Sequence, residues 1–157
     1  LYKAMKNHTL HRNFMGYTAG KTQLMIGLGM SSISDSWYSF AQNEKRIEDY
    51  VDRVNKGEFP LFRGHLLTTE DLIVRRHILN LMCHLETSWA DDAMKLACLP
   101  QILDRLKEMK EDHLIEIHGE RLIIKESSRM FVRNVCMAFD LRLVAKQPEK
   151  RIFSMTI

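Results

Sequence analysis

Gly27-Leu28-Gly29-Met30-Ser31-Ser32-Ile33-Ser34-Asp35-Ser36-Trp37-Tyr38-Ser39-Phe40-Ala41-Gln42-Asn43 is the stretch around which the chain is organised. An apolar run, Leu24-Met25-Ile26, leads into it and reads as a short buried strand. The segment then breaks into a Gly-x-Gly turn and closely spaced serines. Glycine permits a tight turn and close approach of backbone to a ligand, and short hydroxyls supply donors without bulk. Sites for a phosphate, a nucleoside or a carboxylate are often lined this way, and so are the ends of ordinary strands. The pattern leaves both readings open, and the third glycine of the dinucleotide-binding fingerprint is missing.

Upstream, residues 1–23 mix Lys3, Lys6, His8, His11, Arg12 and Lys21 with Tyr2, Phe14 and Tyr17. Gly16 and Gly20 interrupt any period, so irregular chain is expected. Downstream, a helix is expected over residues 43–56. Ile47, Tyr50, Val51 and Val54 fall at i, i+3, i+4 and i+7, and Gly57 with Pro60 marks the stop. Residues 57–67 read as a connector and domain boundary.

Thr68-Thr69-Glu70-Asp71 places a hydroxyl cap ahead of an acid three residues on, which starts a helix running to about residue 86. Leu72, Ile73, Ile78, Leu79, Leu81, Met82 and Leu85 make it the core helix of a second domain. Residues 87–98 form a short amphipathic piece of undefined type. Pro100 suits the first turn of the next helix, which buries Ile102, Leu103, Leu106 and Met109. Leu114-Ile115-Glu116-Ile117, a turn at His118-Gly119-Glu120 and Leu122-Ile123-Ile124 read as a hairpin. Ser127 or Ser128 is expected to cap a last helix with a stripe at Val132, Val135, Cys136, Phe139 and Leu143. Lys146, Gln147 and Pro148 end it, before a tail containing Phe153-Ser154-Met155. Helices, a two-stranded wing and a packing helix give a winged-helix-like arrangement.

With 157 residues, 45% hydrophobic and 27% charged, the composition is that of a globular protein able to bury a core unaided. A net charge of +3, from 23 basic and 20 acidic residues, is too balanced to imply nucleic acid. No apolar run has membrane-spanning length and no signal peptide opens the chain. Because the first residue is Leu1, the sequence reads as a piece of a longer polypeptide or a trimmed one. Cys83, Cys98 and Cys136 fit neither a disulfide framework nor a zinc ribbon and read as unreactive thiols in a reducing compartment.

A winged helix invites a DNA-binding reading, in which the helix before the wing lies in the major groove. Here that helix carries Asp104, Glu108, Glu111 and Asp112, which would oppose phosphate oxygens. His77, Cys83 and His84 share a helix, but their apolar neighbours Leu81, Met82 and Leu85 favour packing over metal binding. No Gly-x-Ser-x-Gly elbow, phosphate-binding Walker loop or His-Glu-x-x-His is present. Arg12, Arg63, Arg75 and Arg76 each offer a two-pronged guanidinium for a carboxylate. Arg12 and Arg63 stand out because they lie in irregular segments bordering the Gly-Ser turn.

A collinear series of segments then points to one family. It runs Leu10-His11-Arg12-Asn13-Phe14, Gly16-Tyr17-Thr18, Ile26-Gly27-Leu28-Gly29 with Ser31, Ile33 and Ser34, then Tyr38 and Ala41-Gln42-Asn43. It continues with Arg63-Gly64, Leu67, Arg75-Arg76, Leu81-Met82-Cys83, Val132-Arg133-Asn134-Val135-Cys136-Met137 and Phe139-Asp140. The series resembles the C-terminal part of bacterial oxygen-independent coproporphyrinogen III oxidases, which belong to the radical S-adenosylmethionine enzymes.

The resemblance implies an α+β, mostly helical fold: the end of a partial (β/α) barrel followed by a winged-helix-like domain with a small β-hairpin. Residues 1–56 would close the barrel, 57–67 connect, and 68–157 cover the active site. It implies oxidative decarboxylation of two propionates of coproporphyrinogen III to vinyls, giving protoporphyrinogen IX in haem biosynthesis. The chemistry would be started by a 5′-deoxyadenosyl radical made from S-adenosylmethionine at a four-iron–four-sulfur cluster. Ile33 occupies the position of a family isoleucine that contacts S-adenosylmethionine, and Gly27, Gly29 and Ser31 shape the same turn. Arg12 and Tyr17 become the expected substrate contacts, with Arg12 on a propionate. Two departures stand out: Met15 replaces a frequent glutamine, and no Cys-x-x-x-Cys-x-x-Cys loop is present. The cluster ligands therefore lie outside this sequence, and the chain alone is expected to be inactive. A cytoplasmic monomer acting with the rest of the enzyme, and with neither nucleic acid nor membrane, completes the expectation. The alternative is a stand-alone haem- or porphyrin-binding module derived from the same family.

Overall fold

The computed structural model describes residues 1–145. The expected helix end at Lys146, Gln147 and Pro148, and the tail beyond it, lie outside the described residues. The chain divides into two compact units, Leu1–Ile73 and Val74–Ile157.

In the first unit α1 (Tyr2–Lys6) is a single turn, too short for periodicity to reveal. β1 (His11–Asn13) and β2 (Gly16–Thr18) form an antiparallel hairpin in place of the irregular chain expected there. Its turn is held by the Asn13 side chain, whose oxygen accepts the Met15 N–H at 2.9 Å. β3 (Ile33–Asp35), β4 (Ser39–Asn43) and, after α2 (Ile47–Asn55), β5 (Leu61–Leu66) build an antiparallel sheet with β4 in the middle.

Three further expectations fail here. Leu24-Met25-Ile26 is not a buried strand: only Met25 bridges, to Asp35, while Leu24 and Ile26 are 59% and 67% exposed. A period of two around one bridge turns both neighbours of Met25 to the opposite side. The helix at 43–56 begins four residues late, because Asn43 ends β4 and Arg46 is still extended at the N-cap. The connector at 57–67 contains β5, paired with β4 across a bulge at Gln42/Asn43.

α3 (Thr69–His84) starts on the expected cap. Asp71 N–H donates to Thr68 Oγ1 at 3.1 Å, and Thr68 N–H donates back to Asp71 Oδ2 at 2.9 Å. β6 (Glu86–Ser88) supplies definite structure to the stretch left undefined by sequence. α4 (Leu99–Arg105), with Pro100 in its first turn, and α5 (Lys107–Glu111) replace one continuous helix. β7 (Ile115–His118) and β8 (Arg121–Ile124) form the expected hairpin, and β6 joins it in the order β6-β8-β7. A 3₁₀ run over Glu126–Phe131 then consumes both serines expected to cap the last helix. α6 (Val132–Phe139) begins after it with no side-chain cap, and α7 (Leu141–Ala145) follows.

Leu81, Ile102, Leu106, Ile115, Leu122, Val135 and Phe139 form the core of the second unit, each at most 1% exposed. These are the positions that helical and strand periodicity select. The α+β reading with a winged-helix-like second part holds. All the strand pairs are antiparallel and no closed barrel forms among the described residues. No helix among them is long and apolar enough to cross a membrane.

Candidate functional site

Residues 27–32 form a loop held from within by β4 and α2. The Asn43 side chain, 5% exposed, donates to the carbonyls of Gly27 and Gly29 at 3.0 and 2.9 Å. The Gly29 N–H donates to the Tyr50 hydroxyl at 3.1 Å, and the Gly27 N–H to Ser34 Oγ at 3.0 Å. Ser31 N–H donates to the Glu44 carbonyl at 2.8 Å. The glycines are needed for this folding rather than for a guest. A Cβ on Gly27 would sit 2.9 Å from the backbone of Ile33, and Gly29 adopts a φ of +93°.

The serines divide in the same way. Ser32 donates to the Leu28 carbonyl at 2.6 Å, Ser34 accepts from Gly27, and Ser36 pairs with Ser39 at 2.7 Å. Ser31, exposed at a φ of +61°, makes no such side-chain hydrogen bond among the described residues. Ile33 opens β3, half-buried, opposite Gln42, and Gln42 is opposite Arg63 on β5. Arg63 Nε donates to Gln42 Oε1 at 2.9 Å, and Gln42 Nε2 donates to the Ser31 carbonyl at 3.3 Å. One polar chain thus runs from β5 to the loop, beside an apolar side chain.

Arg12 and Tyr17, paired across the β1–β2 hairpin, form the second part of the candidate site. The Arg12 guanidinium lies 5.7 Å from the Tyr17 ring centroid. Its buried Nε has no hydrogen-bond partner among the described residues. An orphaned buried donor in an arginine is what a carboxylate would satisfy. Phe14, in the hairpin turn, meets Phe40 of β4 edge-on, with centroids 5.0 Å apart. Phe40 lies two residues from Gln42 and so shares its face of the sheet. This aromatic contact ties the hairpin to the sheet that carries Ile33. Sequence reasoning assigned no role to Asn43 or Gln42 and read Tyr50 as apolar packing. Their signal is three-dimensional, since each acts on a loop 11 to 21 residues away in sequence.

In the second unit His77, Cys83 and Cys136 are buried. His77 is fully buried, with Nδ1 2.8 Å from Thr87 Oγ1 and Nε2 2.8 Å from the Met94 carbonyl. A carbonyl only accepts, so Nε2 carries the proton and Nδ1 accepts from Thr87. Burial lowers the His77 pKa, opposed by the Met94 hydrogen bond. Cys83 and Cys136 are buried, as expected of packing thiols. No group of three or more metal-binding side chains occurs among the described residues.

A loop folded over a three-stranded sheet, with an arginine-bearing hairpin against it, is the candidate site of a mixed α+β protein. No protein-family model matches the chain. Its relatives are oxygen-independent coproporphyrinogen III oxidases. The protein of that name from Bradyrhizobium diazoefficiens is 29% identical over 158 residues, covering 98% of this chain and 34% of the relative. That from Escherichia coli is 31% identical over 148 residues, covering 91% and 32%. That from Cereibacter sphaeroides is 33% identical over 146 residues, again covering 91% and 32%. The solved structure of coproporphyrinogen III oxidase (HemN) from Escherichia coli, a radical SAM enzyme, superposes with a TM-score of 0.82 at 30% identity. It covers 90% of this chain and 34% of that one. The chain is similar to the oxygen-independent coproporphyrinogen III oxidases and spans about a third of the length of the curated relatives it matches.

Proposed function

We propose that this chain supplies one portion of an oxygen-independent coproporphyrinogen III oxidase, acting on coproporphyrinogen III together with the rest of such an enzyme. The observation that carries the reading is the collinear similarity, over nine-tenths of the chain or more, to enzymes of that name. The cluster and S-adenosylmethionine would supply the hydrogen-abstracting radical. Cys83, Cys98 and Cys136 are too far apart to make the cluster loop, so its ligands belong to polypeptide outside this sequence.

The residues present fit S-adenosylmethionine in a limited way. Ile33 offers an apolar wall and Ser31 a spare hydroxyl. Gly27 and Gly29 give their N–H groups to Ser34 and Tyr50, and so shape the wall without donating to a guest. Arg12 holds a propionate carboxylate through its two-pronged guanidinium, with Tyr17 beneath it as a flat support. This division leaves Ile33 and Arg12 as binding residues and assigns no catalytic residue to the chain.

Ile33→Asp in the complete enzyme is the test. A carboxylate placed in an apolar contact should weaken S-adenosylmethionine binding about tenfold or more, while Ile33→Val should leave it nearly unchanged. Binding is read by equilibrium dialysis, and parental affinity in the Asp variant overturns the assignment.

A further inference from the structure

The first unit contains four arginines, Arg12, Arg46, Arg53 and Arg63. Two are neutralised by acids: Arg46 pairs with Glu48 at 3.6 Å and Arg53 with Glu44 at 3.1 Å. Arg12 and Arg63 pair with no carboxylate among the described residues. Arg12 has a part in the proposed function, and Arg63 has none.

Arg63 is exposed and yet held. Its Nε donates to Gln42 Oε1 at 2.9 Å, and Gln42 is fixed in turn by donating to the Ser31 carbonyl at 3.3 Å. A neutral amide oxygen orients the guanidinium without cancelling its charge. With Nε occupied, the two terminal amino groups remain as an end-on fork, which matches the two oxygens of a carboxylate. The tether also removes side-chain freedom before a ligand arrives, which lowers the entropic cost of binding one.

Strand register gives the fork its neighbours. Ile33 is opposite Gln42 and Gln42 is opposite Arg63, so the three share one face of the sheet. Phe40, on the same face, meets Phe14 of the β1–β2 hairpin, which carries Arg12. The acid that β3 contributes to this face is Asp35, opposite Phe40. It is buried and accepts the Trp37 N–H at 2.9 Å, so it is no counter-ion for Arg63.

We infer that Arg63 is a second carboxylate anchor of the candidate site, beside Ile33 and on the face against which the Arg12 hairpin packs. The inference deepens the reading proposed above and rests on it. Two kinds of carboxylate belong to that reading: a propionate of coproporphyrinogen III and the amino-acid carboxylate of S-adenosylmethionine. The fork meets either with the same chemistry.

The test uses the complete enzyme and two probes. Coproporphyrin III, the oxidised and fluorescent form of coproporphyrinogen III, reports on the propionates by fluorescence quenching. S-adenosylmethionine reports on the amino-acid end by equilibrium dialysis. Arg63→Gln should raise the dissociation constant of one probe about tenfold or more, and the probe that weakens names the carboxylate. Arg63→Lys keeps the charge but loses tether and fork, and should fall between. Arg46→Gln removes the same charge from an engaged arginine and should change neither probe.

Carboxylate-free counterparts separate contact from a merely structural role. These are the methyl ester of coproporphyrin III, and 5′-methylthioadenosine in place of S-adenosylmethionine. Parent and Arg63→Gln should bind the matching counterpart equally. Equal weakening of a probe and its counterpart overturns the inference. If Arg63→Gln does not fold, Arg63→Lys decides by the same comparison. Parental binding of both probes that the variant leaves untouched removes the inference and keeps the proposed function. A parent that binds neither probe removes the proposed function, and the inference with it.

Discussion

At the scale of single residues, two buried polar side chains do most to define the molecule, one in each unit. Asn43 satisfies two loop carbonyls at once. Asn43→Ala would strand both acceptors, and about 2 kcal/mol of stability should be lost in urea unfolding. Faster amide exchange at residues 27–32 should accompany the loss. A variant as stable as the parent would mean that water replaces the amide without penalty. His77 gives a pH signature. Its pKa is lowered in the folded state, so the unfolded chain takes up the proton first as pH falls below the ordinary value of 6.5. Stability should be complete above that pH, decline as pH falls through the window toward the lowered native value, and level off beneath it. Unfolding curves taken from pH 8 to pH 4.5 should show that slope, and His77→Gln should flatten it. His77 was legible in sequence as a packing histidine from its apolar neighbours. Asn43 was not legible, because nothing local distinguishes a strand-end asparagine from one that clamps a distant loop.

At the scale of elements, legibility follows how local the cause is. The Thr68–Asp71 cap, the Pro100 start and the β7–β8 hairpin depend on residues within a few positions of each other, and they appear as read. Thr68→Ala should therefore cost about 1 kcal/mol and fray the first turn of α3. Circular dichroism and exchange at residues 69–72 would detect it, and an unchanged unfolding midpoint would show the cap to be redundant. The elements misread are those whose partners are remote. β5 reads as a connector because Leu61-Phe62-Arg63-Gly64-His65-Leu66 has no regular alternation of its own, and it becomes a strand by pairing with β4. The spacing along α2 marks it as amphipathic, and its apolar residues Ile47, Val51 and Val54 are about half exposed. Periodicity tells which side of a helix is apolar and is silent about what covers it.

At the scale of the whole molecule, the division of labour is uneven. The second unit carries the apolar core, and the first carries the candidate site together with an open apolar surface. The sequence by itself determined the mixed α+β class, the core of the second unit and the likeness to the coproporphyrinogen III oxidases, because periodicity, caps and collinear motifs are all written along the chain. Tertiary structure alone decided what the Gly-Ser loop is for. Its glycines and most of its serines serve its own folding. That outcome depends on hydrogen bonds made with Asn43, Tyr50 and Glu44, and partners brought together only by folding leave no local pattern to read.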